Sequence, residues 1–298
     1  MEPDGIILID KPKGITSHDA VNRMRRLLRT RKIGHTGTLD PDATGLLVIL
    51  AGRAAKAAEY ITADEKVYEA VLRLGIATDT QDAGGNVISS SDDIPDADAV
   101  YDAVSSFAGE YMQIPPMYSA LKQNGRKLVD LARRGIDVER PAREVFIKEI
   151  KAKRINGVDY SLYVRCSKGT YIRTLCDDIG KKLGCGGCMA ELRRIKSGGF
   201  DIADAYTLDA LDGMAYEDVC SLILPAESLF SDLPVLRLSG FFLKLCKSGC
   251  EIYQKKIKTV HPVGQRLRLY DDDGFFAVGE VREYEEGTAV KSVKVFRL

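Results

Sequence analysis

The apolar positions of the first seventy-five residues fall into two rhythms. GIILIDK at 5–11 carries an unbroken apolar run, which predicts a short buried strand from Gly5 to Asp10. A Pro/Gly turn follows, and Thr16 or Ser17 offers an N-cap for a helix. Along that helix Val21, Met24, Leu27 and Leu28 recur at three- and four-residue intervals, leaving its arginines on the wet side. A glycine-rich loop then ends in a second apolar run, Leu46 to Leu50, read as another buried strand. KVYEAVLRLG alternates instead, with Tyr68, Ala70, Leu72 and Leu74 on one face and Glu69 and Arg73 on the other, the pattern of a half-covered strand.

TDTQDAGGNVISSSDD reads as a polar loop or hairpin tip, and Val100, Val104 and Phe107 have helical spacing. IPPMYSALKQNGRKLVDLARRG, residues 114–135, leads from a double proline into a short basic helix bounded by Gly125 and Gly135. It resembles a mobile arm, about 114–140, more than core. Strands are expected around Val145–Ile155 and over Asp159–Cys166, the second turning Tyr160, Leu162, Val164 and Cys166 inward. KGTYIRTLCDDIGKKLG then starts a helix with Ile172, Leu175, Cys176, Ile179 and Leu183 as its apolar stripe. From DLPVLRLSG onward, short strand-like pieces (QRLRLYDDDG, FFAVGEV, SVKVF) alternate with turn signals, the pattern of a small β-rich module of about 60 residues. The boundary falls near Leu233, dividing the chain into residues 1–232 and 233–298.

Composition adds limits. The 298 residues, 45% of them hydrophobic, suffice for one large domain and a small one. No apolar run approaches the roughly 20 residues of a membrane span, and no basic start joins an apolar leader, so the expectation is a cytoplasmic protein without membrane contact. Seven scattered cysteines suit reduced thiols better than a disulfide framework. The formal net charge of zero hides segregated blocks. Residues 21–34 hold six bases and no acid, and residues 74–121 hold eight acids and no base. Residues 122–154 hold eleven bases against five acids, and 201–234 again eight acids and no base. Such blocks are either solvated faces or basic segments that converge to bind a polyanion despite zero net charge.

The densest candidate chemistry is GHTGTLDPDATGLLVI at 34–49. Asp40 precedes Pro41, whose ring disfavours helical geometry in the preceding residue, while Gly34, Gly37 and Gly45 permit close approach of another chain or a ligand. One reading is an Asx-type turn. Another is the DxDxT pattern of aspartyl phosphohydrolases, Asp40 to Thr44, with Mg²⁺ as partner. The context opposes that reading, because the apolar strand comes after the aspartates, whereas in that superfamily it runs directly into them. Cys185 and Cys188 form a CxxC with no second ligand pair, so no metal is expected.

The ordered set KPKGITS (11–17), GHTGTLDPDATGLL (34–47), Tyr68 in KVYEA, the 114–135 segment and SKGTYIRTLCDDIG (167–180) resembles the bacterial TruB family of tRNA pseudouridine synthases over most of residues 5–232. The resemblance implies an α+β catalytic domain on a mixed, largely antiparallel sheet with RNA-gripping loops, followed by a small β-rich PUA-like RNA-binding domain. It implies isomerisation of uridine 55 in the TΨC arm of tRNA after the base is flipped out, without a cofactor. The 114–135 arm, shorter in guide-RNA-dependent relatives, implies an enzyme needing neither guide RNA nor an obligate protein partner, and a monomer is expected. Asp40 corresponds to the family's catalytic aspartate, Arg173 to the arginine that pairs with it and Tyr68 to the tyrosine that stacks on the base. Tyr171 and Leu192 correspond to pocket-lining positions, and His35 to the residue facing the gap left by the flipped nucleotide. Lys11, Arg126 and Lys127 are expected as RNA contacts, together with other arm and helix bases. A non-catalytic RNA-binding or RNA-folding protein remains the third alternative.

Overall fold

The protein is described here by a computed structural model covering residues 3–57, 65–119, 121–123 and 125–297, with the side chains of Lys56, Lys122 and Lys127 outside the described set. The chain begins with β1 (Gly5–Lys11), α1 (Ser17–Leu27), β2 (Ile33–His35), β3 (Thr44–Ala51), β4 (Lys66–Leu74) and the β5 (Ile76–Thr78) and β6 (Val87–Ser90) hairpin. It continues with α2 (Ala97–Ser105), β7 (Gly109–Gln113), a small hairpin of β8 (Lys122–Gln123) and β9 (Arg126–Lys127), and α3 (Leu128–Ala132). Next come β10 (Arg143–Arg154), β11 (Asp159–Cys166), α4 (Ile172–Leu183), β12 (Gly187–Ser197), β13 (Phe200–Asp201), β14 (Tyr206–Thr207), α5 (Leu208–Asp212) and α6 (Tyr216–Ser221).

These elements build one ten-stranded sheet in the order β14-β1-β3-β12-β4-β11-β10-β7, with β2 beside β3 and β13 beside β12. Only β1 with β14 and β3 with β12 run parallel, so the sheet is mixed and largely antiparallel. The unbroken apolar runs of β1 and β3 follow from burial on both faces. Ile7, Ile9, Leu47 and Ile49 belong to the main core, which also holds buried residues of α1, α2 and α4. Ile6, Leu8, Leu46, Val48 and Leu50 meet Leu229, Phe230, Val278 and Phe296 on the other side. The chain's remaining segment, β15 (Val235–Arg237), α7 (Gly240–Lys247), β16 (Ile252–Tyr253), α8 (Gln254–Ile257), β17 (Arg266–Asp271), β18 (Gly274–Tyr284) and β19 (Gly287–Val295), forms a five-stranded sheet of its own.

Two expectations need correction. Residues 187–197, for which the sequence reading has no strand, form β12, which joins the two halves of the large sheet. His35 lies on a short strand and not in the glycine-rich loop, because 33–35 pair with 49–51 of β3. The arm is a hairpin followed by a five-residue helix, with Leu128 and Leu131 only 3% and 8% exposed.

Candidate active site

The loop carrying Asp40 is fixed on both sides of that residue. Thr16 caps α1 reciprocally: its hydroxyl accepts from the Asp19 N–H (3.0 Å), and the Asp19 carboxylate accepts from the Thr16 N–H (2.9 Å). That cap sets Ser17, whose hydroxyl donates to the Leu39 carbonyl (2.9 Å) and accepts from the Leu39 N–H (2.8 Å). On the other side the Gly14 N–H donates to the Pro41 carbonyl (2.9 Å), and Lys11 Nζ donates to the same oxygen (3.1 Å).

Arg173 stands in the first turn of α4, only 6% exposed. Its Nε lies 3.0 Å from Asp40 Oδ2 and its Nη1 3.4 Å from Asp82 Oδ2, while Nη2 donates to the Tyr118 carbonyl (2.8 Å). The guanidinium thus bridges two carboxylates and the base of the arm. Asp82, at the tip of the β5–β6 hairpin, is itself held by the Thr80 hydroxyl (2.8 Å) and the Gly84 N–H (3.1 Å). Burial pushes the Asp40 carboxyl above its usual 3.8, the Arg173 charge opposes the shift, and the neighbouring Asp82 adds to it. The sequence reading missed Asp82, since its hairpin looks like an ordinary polar loop. TDTQ immediately before it was the available signal, because the Thr80 hydroxyl fixes the carboxylate and the Thr78 hydroxyl donates to the Asp82 carbonyl.

These groups border a cavity of about 410 Å³ lined by Lys13, Asp40, Asp82, Tyr118, Arg133, Arg173 and Leu192, among others. Leu192 reaches it from β12, in register with Ala70 of β4. Tyr68, on β4 and 7% exposed, belongs to the same buried cluster as Leu192. Tyr171 precedes α4, with its N–H and carbonyl both held by the Gln113 side-chain amide (2.8 and 3.0 Å); burial raises its hydroxyl pKa. His35 is half-buried, and its Nδ1 has no hydrogen-bond partner among the described residues. Burial, with the Arg194 charge second, lowers its pKa below 6.5 and keeps the ring neutral at neutral pH.

Lys11 requires a correction. It has no exposed surface, and its three ammonium protons go to the carbonyls of Pro12 (2.8 Å), Ile15 (2.8 Å) and Pro41 (3.1 Å). With burial lowering its pKa to about 8, it is a fastener of the Asp40 loop and not a contact to RNA phosphate. Arg126 is exposed on the arm hairpin; Lys127 has its backbone there, and its side chain lies outside the described residues. Among the helix bases, Arg23 is neutralised by Asp209 (2.6 Å) and Asp212 (2.5 Å), and Arg25 donates to Asn22 (2.9 Å). Arg29 lies over the Tyr216 ring, 4.6 Å from its centroid.

The chain's relatives fit this geometry. Residues 25–172 match the sequence model of the TruB family pseudouridylate synthase N-terminal domain, and residues 173–231 that of the tRNA pseudouridylate synthase B C-terminal domain. The tRNA pseudouridine synthase B of Clostridium kluyveri is 40% identical over 294 residues, covering 98% of this chain and 99% of that one. The chain belongs to the TruB family. A second TruB relative, tRNA pseudouridine synthase B of Alkaliphilus oremlandii, is 41% identical over 297 residues, covering 99% of this chain and 98% of that one. Among solved structures, a chain of a Cbf5-Nop10-Gar1 complex superposes with a TM-score of 0.73 at 26% identity, covering 99% of this chain and 85% of that chain. The two TruB segments meet at 172/173, where α4 begins, so the Asp40–Arg173 pair joins one matched segment to the other. As a TruB family member the protein is a pseudouridine synthase, an isomerase.

Proposed function

We propose that this chain converts uridine 55 in the T arm of tRNA to pseudouridine, with Asp40 as the catalytic carboxylate. The observation that carries the reading is the Asp40–Arg173 pair at 3.0 Å, its guanidinium buried and its carboxylate half-exposed on the wall of a cavity large enough for one flipped-out nucleoside. The reaction breaks the N1–C1′ bond and forms C5–C1′; N1 gains a proton and C5 loses one, so no electrons or water are consumed. Arg173 keeps Asp40 ionised despite its burial, ready to attack or to stabilise a cationic sugar. Tyr68 stacks on the uracil and serves proton transfer at C5, and Tyr171 and Leu192 flank the ring. Neutral His35 fills the place vacated in the T-loop.

The arm supports action without a guide RNA, because it already reaches the site: the Tyr118 carbonyl binds Arg173, and Arg133 lines the cavity. Arg126, Lys127 and Arg133 would close on the T-stem phosphates. Residues 233–298 are read as a PUA-like RNA-binding domain, and the enzyme as a cytoplasmic monomer without obligate protein partner; no helix among the described residues is long and apolar enough to cross a membrane. The phosphohydrolase reading loses support because Asp40 lies before β3 and its carboxylate is held by a guanidinium.

Tritium release from tRNA labelled at uridine C5, with and without EDTA, tests the proposal. Release by the native protein in both conditions, and none by Asp40→Asn, is expected. Absence of release by the native protein contradicts it, as does release that survives in Asp40→Asn.

A further inference from the structure

Arg194 is the largest side chain buried to within 2% of completeness, and it is a cation. No carboxylate pairs with it among the described residues. A buried charge of this kind is costly unless its hydrogen-bonding capacity is used. Here it is used on backbone carbonyls: Nε donates to Leu46 (2.8 Å), Nη2 to Gly37 (3.0 Å), and Nη1 reaches Thr38 (3.5 Å). Two of these carbonyls precede Asp40 and the third follows it, so one planar guanidinium closes both ends of the loop 37–46.

The backbone of the same residue completes the closure. Arg194 is the partner of Gly45 where β12 runs parallel to β3. Gly45 has φ +103°, and a Cβ there would lie 2.3 Å from the Arg194 carbonyl oxygen, so only glycine allows the loop to lie this close. β12 also carries Leu192, on the cavity wall two residues before Arg194. The cavity wall and the loop anchor therefore belong to one strand.

We propose that Arg194 is a positioning residue for the pseudouridylation reaction: it sets the register of the Asp40 loop against Arg173 without touching RNA. This rests on the reading of Asp40 as the catalytic carboxylate. Lysine cannot reproduce the arrangement, because an ammonium on a flexible stem lacks the planar fork that spans carbonyls on both sides of the loop. Loosening the loop lengthens the Asp40–Arg173 contact. Burial then acts on Asp40 less opposed, and its carboxyl is driven further upward.

The test is steady-state kinetics of the full chain on tRNA for native protein, Arg194→Lys and Arg194→Met, across pH and well below each unfolding temperature. Arg194→Met is expected to lower kcat about 100-fold, the scale of a 1 Å misplacement, with KM within about threefold of native. The acid limb of its kcat profile should move to higher pH. Arg194→Lys should fall between Met and native in both respects, and it stands alone as the test if the Met variant does not fold. Native kinetics in Arg194→Lys overturn the proposal, as does a raised KM at unchanged kcat, which would make Arg194 an RNA contact, or a lowered kcat with an unmoved acid limb. A native protein inactive on tRNA would instead overturn the functional reading.

Discussion

Asp40 sits under opposing influences, and the balance gives two testable consequences. Its folded pKa is raised, so the folded state holds this proton more tightly than the unfolded chain does. The resulting stabilisation is present below the unfolded pKa and is lost as pH rises through the folded value; at pH 7 the ionised carboxylate is a net burden. Asp40→Asn should therefore be at least as stable as native protein at pH 7 by urea unfolding, while losing activity; a loss of more than about 1 kcal/mol would contradict this. Arg173 lowers the same pKa. Arg173→Ala should move the acid limb of kcat upward and cut turnover by about 100-fold or more, with a much smaller effect on tRNA affinity in a binding assay. Equal losses in both would make Arg173 a phosphate contact. The pairing of Asp40 with Arg173 was legible because each stands in a contiguous motif. Asp82 and Arg194 were not, because their roles come only from segments far apart in sequence meeting at one point. Lys11 was misread because KPKG looks like a solvated turn, whereas it closes a strand buried on both faces.

At the level of elements, β4 and β11 were readable because one face of each is wet and the alternation survives in the sequence. β12 was not, for two physical reasons. Its core-facing pattern is interrupted by irregularities between Met189 and Glu191 and between Arg194 and Lys196, which reset the alternation. Its buried residues also include an arginine that no hydrophobic pattern would place inside. α4 was legible from its stripe, but not the closeness with which it lies on β12. A Cβ at Gly180 would be 2.1 Å from the Gly187 backbone nitrogen, with nothing flexible to yield. Gly180→Ala should thus cost about 2 kcal/mol or more through overpacking, measured by urea denaturation, and should shift Arg173 with its helix; a near-neutral result would mean that the helix and strand can separate without loss.

Across the whole molecule, the two sheets share a core. Phe230 lies between them, with ring centroids 6.1 Å from Phe275 and 5.7 Å from Phe296, in one buried cluster with Ile6 and Leu8 of β1 and Leu46, Val48 and Leu50 of β3. The segment from Val235 onward therefore covers the back of the large sheet. Phe230→Ala should lower global stability by about 3 kcal/mol or more, seen as a depressed urea midpoint; a change below about 1 kcal/mol would show that the second sheet is merely appended. The zero net charge says little about partners, because acids and bases are sorted by segment, and one helix base, Arg23, is already paired with Asp209 and Asp212 of the acidic stretch that follows β13. The position at which pseudouridine appears in the tRNA is the most direct readout of the proposed activity. Position-resolved mapping of pseudouridine in unmodified tRNA incubated with native protein should place it at uridine 55 alone, and Asp40→Asn should leave that position as uridine. Pseudouridine at another position, or its formation by Asp40→Asn, would contradict the account.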